Sequence, residues 1–287
     1  MAEPRTLIIH HDDLGGSHGA NLAFVQLWDL GLATSGSVMV PCPWFPQIAR
    51  IARERPELDL GVHLTLTSEF DDLRWRPLTG VSGNGLTDAE GYFWRRVTDA
   101  RRADPVAVEA ELRAQIETAL AAGIDATHLD SHMGTLWMPE FIDIFVGLGR
   151  DYRLPIGLTR DMAKMGADPA TIEAAFAQLM PLGHPDFLTY LTTPFSERLA
   201  TPERYREIFA QARPGLNFGA FHFTQPADME FFSPDIDLRT SEYRMFRDGT
   251  ARRLIEEAGL ELAGIRGLRD RMRAGVNGEA PLAGTLI

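Results

Sequence analysis

Short apolar runs alternate along the whole chain with longer segments in which apolar residues recur every three or four positions. The short runs predict β-strands, and the longer segments predict amphipathic helices. We predict strands at residues 6–11, 37–41, 58–67, 127–132, 156–159, 217–223 and 260–264. We predict helices at residues 17–30, 44–55, 104–123, 139–148, 168–180, 201–212 and 247–258.

Three of the predicted helices share a start signal, in which an acidic or hydroxyl residue is followed by proline. The first residue of such a pair can cap the helix, and proline fits the first helical turn. The pairs are Asp104-Pro105, Asp168-Pro169 and Thr201-Pro202.

The alternation of strands and helices also predicts the fold class. Repeated βα units imply parallel strands with right-handed crossovers, which leaves a doubly wound sheet or a βα barrel. Residues 68–103 form the one long interruption, and we expect them to be a lid or a small inserted subdomain. We favour a single barrel-like α/β domain over residues 1–287, with long loops.

The composition of the chain excludes several classes of function. The chain has 287 residues, a net charge of -12 and one cysteine, Cys42. The acidic surplus argues against nucleic acid as a partner, because phosphate binding needs clustered cations. One cysteine excludes an internal disulfide and a cysteine-built zinc site. We see no secretory leader and no apolar run that could span a bilayer. We therefore expect a cytoplasmic protein that acts on a small molecule, without a membrane partner, with a homodimer as an open alternative.

Polar residues at the ends of three predicted strands suggest a common site. Asp12 and Asp13 end the first apolar run. In the third strand, His63 lies on the opposite face from the large aliphatic residues, so it would point to the barrel axis. His132 ends the fourth strand, where His128 and Asp130 share its face. Polar side chains that converge near the carboxyl ends of barrel strands are placed as catalytic residues are.

This residue set predicts a divalent metal. One or two carboxylates with two imidazoles can bind Zn²⁺ or a related ion and leave a position open for water. Asp130 or His128 could then hold a ligand imidazole in the required tautomer. A bound ion of this kind activates water and polarises a carbonyl, which suits hydrolysis of an amide or ester. His222 also alternates toward the axis and is a candidate general acid.

Structural interpretations remain open for these residues. The two aspartates could simply open a turn and cap the following helix. Each histidine, including His222 between aromatic residues, could be a buried imidazole with ordinary hydrogen bonds. We interpret the four remaining histidines as structural or exposed, and these are His10, His11, His18 and His184.

Several short motifs of this chain occur together in one known family. They are Asp12-Asp13-Leu14-Gly15, Asn21, Gly31-Leu-Ala-Thr-Ser35, Gly61-Val-His63, Thr127-His-Leu-Asp-Ser-His132, and later Phe221-His222 and Arg239-Thr-Ser-Glu242. Through them the chain resembles the YdjC-like carbohydrate deacetylases, over roughly its first half and more thinly afterwards. The resemblance implies a distorted βα barrel, one divalent ion (Mg²⁺ or Zn²⁺), and removal of acetyl groups from N-acetylated sugars.

The resemblance also implies individual roles. Asp13, His63 and His132 would be metal ligands, Asp12 the general base and His222 the acid. Two further residues are predicted to bind substrate: Arg239, from the family element, and Trp137, because it follows the end of the fourth strand.

This sequence departs from the family at two places beside these residues. His10-His11 replaces an Asn-Ala pair, and Met133-Gly-Thr-Leu-Trp137 follows where the family tends to continue with histidines. We expect a different or less polar substrate as a result.

Two rival functions are compatible with the same residues. A metal-dependent sugar isomerase of barrel fold would also need inward carboxylates and histidines, although such enzymes draw more ligands from glutamates. A non-catalytic carbohydrate-binding relative would bind without turnover and tolerate Asp12→Asn. Release of acetate separates both from a deacetylase.

Overall fold

The strands of this computed structural model, which describes residues 3–80 and 83–275, all pair in parallel. They are β1 (Arg5–Leu14), β2 (Ser35–Val38), β3 (Leu60–Leu64), β4 (Leu129–Ser131), β5 (Phe187–Leu191), β6 (Gly215–Phe221) and β7 (Leu260–Leu262). The sheet has the order β4-β3-β2-β1-β6-β5, and β7 pairs with β1.

Strand β1 is the centre of the sheet. It pairs with β6 from Arg5 to His11 on one side. On the other side, β7 pairs with its first residues and β2 with its last ones. The sheet curls into a half-barrel with helices between the strands, which confirms the predicted distorted βα barrel.

Helices follow most strands and cover the outside of the sheet. They are α1 (His18–Asp29), α2 (Phe45–Glu54), α3 (Val97–Ala100), α4 (Pro105–Ala121), α5 (Ile142–Tyr152), α6 (Pro169–Leu179), α7 (Pro202–Ala210), α8 (Ile236–Arg247), α9 (Thr250–Glu257) and α10 (Arg266–Ala274). The three predicted caps are confirmed, because Asp104, Asp168 and Thr201 each accept a hydrogen bond from a backbone N–H in the first turn. Within the described residues, no helix is long and apolar enough to cross a membrane.

The prediction of a strand at 156–159 is wrong. Ile156 forms only an isolated bridge to Leu129, and Leu158 donates its N–H back to the Ile156 carbonyl in a tight turn. The next strand along the chain is instead β5, which the sequence pattern did not predict. Helices α8 and α10 were not predicted either, because charged residues interrupt their apolar stripes.

The long loop 68–103 lies over helix α4. The buried carboxylate of Glu111 accepts hydrogen bonds from the backbone N–H groups of Leu78 and Thr79, and the indole of Trp75 donates to the Thr67 carbonyl. The single-domain prediction for residues 1–287 stays a prediction. Residues 1–2 and 276–287, and 81–82 within the loop, lie outside the described residues.

His184 is a buried structural residue. Its Nε2 accepts a hydrogen bond of 2.9 Å from the Ile156 backbone N–H, and its ring contacts Phe176 and Phe187 edge-on. Burial lowers the pKa of His184 from 6.5 to about 4. Between pH 6.5 and about 4, His184 therefore stays neutral in the folded protein, whereas it is protonated in the unfolded chain.

We expect acid to destabilise the protein partly through this histidine. Because the folded pKa lies below the unfolded one, the free energy of unfolding falls as the pH drops from 6.5 to about 4, by up to about 3 kcal/mol from this group. His184→Gln keeps a hydrogen-bond acceptor but cannot be protonated. Urea unfolding across this pH range should give a shallower fall for His184→Gln than for the wild type, and parallel profiles would contradict the assignment.

Candidate metal centre

Asp12 and Asp13 reach the same cavity because the backbone of β1 is irregular at its end. Regular alternation turns His10 and Asp12 inward and places His11 outward, between the rings of Phe24 and Phe223. Asp13 would also face outward, but its φ is 65° and the pairing with β2 shifts register between His11 and Leu14. A bulge of this kind re-aims a side chain. Both carboxylates therefore line the cavity, within β1 rather than after its end.

The structure brings Asp13, His63 and His132 together. Asp13 Oδ1 lies 3.3 Å from His63 Nε2 and 3.1 Å from His132 Nδ1, and all three side chains are buried. Neighbouring ligands of one ion with bonds near ~2.1 Å are separated by roughly 3.0 to 3.4 Å. The separations therefore fit a shared ion, while the role of these residues as ligands stays a prediction.

Arg239, on helix α8, holds the second oxygen of Asp13. Its Nη1 donates to Asp13 Oδ2 at 2.7 Å, and its Nε donates to Asp235 at 2.8 Å. Burial alone would raise the pKa of Asp13, but the Arg239 cation and the neighbouring imidazoles hold this pKa well below its ordinary value. Asp13 is therefore ionised, with Oδ1 turned to the histidines. Arg239 lines the cavity, but its guanidinium is already paired with two carboxylates.

Asp130 and Ser37 orient His63. The Nδ1 of His63 lies 2.8 Å from Asp130 Oδ1 and 3.0 Å from Ser37 Oγ, and Ser37 donates to Asp130 Oδ2 at 2.9 Å. Burial lowers the pKa of His63, but the negative charges of Asp130 and Asp13 more than offset this and raise it well above its ordinary value. With Nδ1 facing Asp130, Nε2 is left to face Asp13.

Glu69 orients His132 and was missed by the sequence analysis. Its Oε2 lies 3.0 Å from His132 Nε2. Burial lowers the pKa of His132, but Glu69 and Asp13 raise it to about 9. Glu69 sits in the long loop without a strand pattern, and no signal in the sequence placed it here.

The cluster carries an excess of negative charge. A buried, unbalanced charge is costly, so protons or a cation must balance it. The raised pKa values of His63 and His132 show that the site attracts positive charge. The group consists of five carboxylates and one guanidinium, from Asp12, Asp13, Glu69, Asp130, Asp235 and Arg239.

His222 follows β6 and faces the aspartates, as its alternation predicts. Its Nε2 lies 3.7 Å from Asp12 Oδ2 and 3.9 Å from Asp13 Oδ2. Burial, followed by the Arg239 cation, lowers the pKa of His222. At these distances His222 is near both carboxylates without a direct hydrogen bond to either.

His10 belongs to the site, contrary to the prediction that it is structural or exposed. Its Nδ1 lies 2.6 Å from Asp12 Oδ1, and its Nε2 lies 2.8 Å from His128 Nε2. The alternation of β1 could have identified it, since it precedes Asp12 by two positions. His128 thus has hydrogen bonds with His10 and Thr127 rather than with His63 or His132. His10, His128 and Asp130 also form a second group close enough to hold an ion.

The remaining two histidines lie outside the cluster, as predicted. His11 is buried between aromatic rings, without a hydrogen-bond partner for its side chain among the described residues. His18 is half-buried beside Gln47 and Trp44.

A cavity of about 1040 Å³ opens above this cluster, where the strands of the barrel end. Its floor is polar and includes Asp12, Asp13, His63, His132 and His222. Trp137 lines it and packs edge-on against Tyr190 at 5.5 Å, while its role in substrate binding stays a prediction. The apolar wall comprises Phe70, Met133, Trp137, Met138, Met165, Tyr190, Phe195 and Leu238.

Fold and cluster define a βα-barrel protein with buried carboxylate and imidazole groups that could hold a metal at the carboxyl ends of its strands. The sequence model of the YdjC-like protein family matches residues 6–257. The chain therefore belongs to the YdjC-like family.

Named relatives agree with this membership, and a solved structure shares the fold. A Thermus thermophilus protein named carbohydrate deacetylase is 36% identical over 256 residues, which cover 88% of this chain and 90% of the relative. A Brevibacillus brevis protein of the same name is 37% identical over 150 residues, 52% of this chain and 58% of that one. A crystal structure from Enterococcus faecalis V583, of a candidate cellobiose-phosphate cleavage protein, superposes with a TM-score of 0.76 at 23% identity, covering 92% of this chain and 99% of that one.

We expect Asp130→Asn to weaken metal binding about 10- to 100-fold, because a carboxylate beside a ligand imidazole fixes its orientation and basicity. Titration calorimetry with Zn²⁺ measures this change. Asp186→Asn is the matched control, since Asp186 pairs with Arg160 before β5 and does not line the cavity. Equal Zn²⁺ affinity for Asp130→Asn and the control would contradict the role given to Asp130.

Proposed function

We propose that this protein removes acetyl groups from an N-acetylated sugar or a related small amide, with one divalent ion held by Asp13, His63 and His132. The observation that carries the proposal is the convergence of these three donors beside a separate carboxylate, Asp12, at the floor of a large cavity. The names of the relatives, carbohydrate deacetylases, support the same reaction.

The donor set fits a divalent ion. One carboxylate oxygen and two imidazole nitrogens suit Zn²⁺ better than Mg²⁺, which prefers oxygen ligands. When bound, such an ion lowers the pKa of a coordinated water and polarises an acyl oxygen. The protein keeps Asp13 ionised through Arg239 and orients His63 through Asp130.

Asp12 is the candidate general base. Its Oδ1 is held by His10, and its Oδ2 is left without a hydrogen bond from any described residue. Asp13 differs because both of its oxygens are engaged, one with Arg239 and one with the imidazoles. Two adjacent carboxylates can therefore have separate tasks: Asp12 accepts a proton at Oδ2 while Asp13 stays ionised.

His222 is the candidate general acid. A lowered pKa makes its protonated form a stronger donor toward the nitrogen of the departing amine. Its Nε2 is 3.7 Å from Asp12 Oδ2, so base and acid are neighbours. A proton that Asp12 accepts is therefore close to His222, the group that would donate a proton to the leaving amine.

The apolar wall supports a substrate with an apolar part. Met133, Met165 and Phe195 are 46%, 45% and 56% exposed at the cavity, respectively. The Phe195 ring also contacts His222 edge-on at 4.8 Å, so an apolar group would lie beside the candidate acid. We infer an amide that carries an alkyl, aryl or flat sugar face near the bond that breaks.

We expect Asp13→Ala and His63→Ala to lose bound metal and acetate release together, because each removes a ligand. Asp12→Asn should keep the metal and lose turnover. Elemental analysis and an acetate-release assay over N-acetylated sugars and small N-acetyl amides measure both. Full turnover by Asp13→Ala with less than stoichiometric metal would falsify the assignment.

Phe195→Ala should raise KM about 3- to 10-fold for substrates with an apolar substituent, because an aromatic contact is lost. The effect on kcat should be small. Phe231→Ala is the matched control, since Phe231 is 82% exposed and does not line the cavity. If both variants change KM equally, Phe195 is not a substrate contact.

A further inference from the structure

Asp12 depends on one neighbour for its orientation. Among the described residues, His10 is the only side chain within hydrogen-bond distance of the Asp12 carboxylate, at 2.6 Å from Oδ1. The two residues share a face of β1, so the strand itself sets their spacing. The remaining oxygen, Oδ2, is the one nearer to His222.

A continuous hydrogen-bonded chain extends from His10 through the barrel. His10 Nε2 lies 2.8 Å from His128 Nε2, and His128 Nδ1 lies 2.9 Å from Thr127 Oγ1. The Thr127 hydroxyl donates to Asp59 Oδ1 at 2.5 Å. Asp59 directly precedes β3, so the chain ends at the opposite end of the strands from Asp12.

Backbone groups fix the far end of this chain. Asp59 Oδ2 accepts from the N–H groups of Ile265 and Arg266, at 2.6 and 2.7 Å. These amides lie at the first turn of α10, where N–H groups have no partner within the helix. The Asp59 carboxylate is therefore held by the main chain.

Burial leaves the members of the chain few other partners: Ser35 Oγ donates to Asp59 Oδ1 at 3.3 Å, and His10 Nε2 lies 3.6 Å from Asp130 Oδ2. His10, Thr127, His128 and Asp59 are all 3% exposed or less. His128 packs where a side chain at Gly61 would stand, since a Cβ there would lie 2.5 Å from its ring. Each imidazole has a partner at both nitrogens, so neither ring can turn without breaking two hydrogen bonds in a site that excludes water.

We propose that His10 is a positioning residue that holds Asp12 Oδ1 and so directs Oδ2 into the cavity, and that His128, Thr127 and Asp59 fix His10 from the other end of the barrel. The effect on catalysis rests on the proposed function, because it assumes that Asp12 is the base. The chain of contacts itself does not.

Two substitutions at His10 separate its two hydrogen bonds. Asn places an amide where Nδ1 stands and can still donate to Asp12, whereas Gln reaches toward His128 and loses the donor to Asp12. We expect His10→Gln to lower kcat about 10- to 100-fold, with KM and metal content unchanged. His10→Asn should lose clearly less. Equal losses for both, or full turnover by His10→Gln, would overturn the role of His10.

Substitutions at Thr127, which connects His128 to Asp59, test the chain at a position far from the substrate. Thr127→Val keeps the shape and removes the hydroxyl, and we expect kcat to fall about 3- to 10-fold without a change in KM. Thr127→Ser restores the hydroxyl and should recover kcat. His184→Gln is the control for altering a buried polar group outside the chain. Failure of Ser to recover what Val loses would show that Thr127 acts through packing alone.

A measurement without turnover keeps this inference separate from the proposed function. In protein with isotopically labelled histidine, the proton shared by His10 and Asp12 should give a strongly downfield NMR signal. Asp12→Asn should shift it most, and Thr127→Val should shift it as well. If the wild type releases no acetate but these shifts occur, the proposed function fails and the chain stands. If Asp12→Asn leaves the histidine spectrum unchanged, the chain is wrong whatever the activity.

Discussion

Two successive residues of a regular strand point to opposite faces, and the site needs Asp12 and Asp13 on one face. The left-handed backbone at Asp13 meets this need, at a local cost of about 1–3 kcal/mol. The hydrogen bond from Arg239 and the contacts with His63 and His132 offset that cost. Without this one backbone turn, the two carboxylates would lie on opposite faces of the sheet.

The parallel sheet supplies the rest of the arrangement. Because all strands run in one direction, the residues at their carboxyl ends meet on one side although they are far apart in sequence. Helix α8 and the long loop then add Arg239 and Glu69, which hold Asp13 and His132. Asp13, His63 and His132 therefore each have a partner that sets their orientation, and the excess of carboxylates favours positive charge among them.

Local periodicity explains what could be predicted from the sequence. The alternation of apolar and polar positions gave the inward direction of His63, Asp130 and His222, and the capping pairs gave three helix starts. The same alternation pointed to His10, although we interpreted it as structural. Contacts across the fold were not predictable in this way. Nothing near Glu69 or Arg239 in the sequence specifies which oxygen or nitrogen they meet, and β5 and α8 form because the barrel buries segments whose own patterns are weak.

The location of the ion tests the account most directly. Crystals soaked with Zn²⁺ and measured at the zinc absorption edge would show its position by anomalous scattering. We predict one strong peak bounded by Asp13, His63 and His132, within bonding distance of an oxygen of the first and a nitrogen of each histidine. A peak among His10, His128 and Asp130 instead, or no peak beside Asp13, would contradict the account.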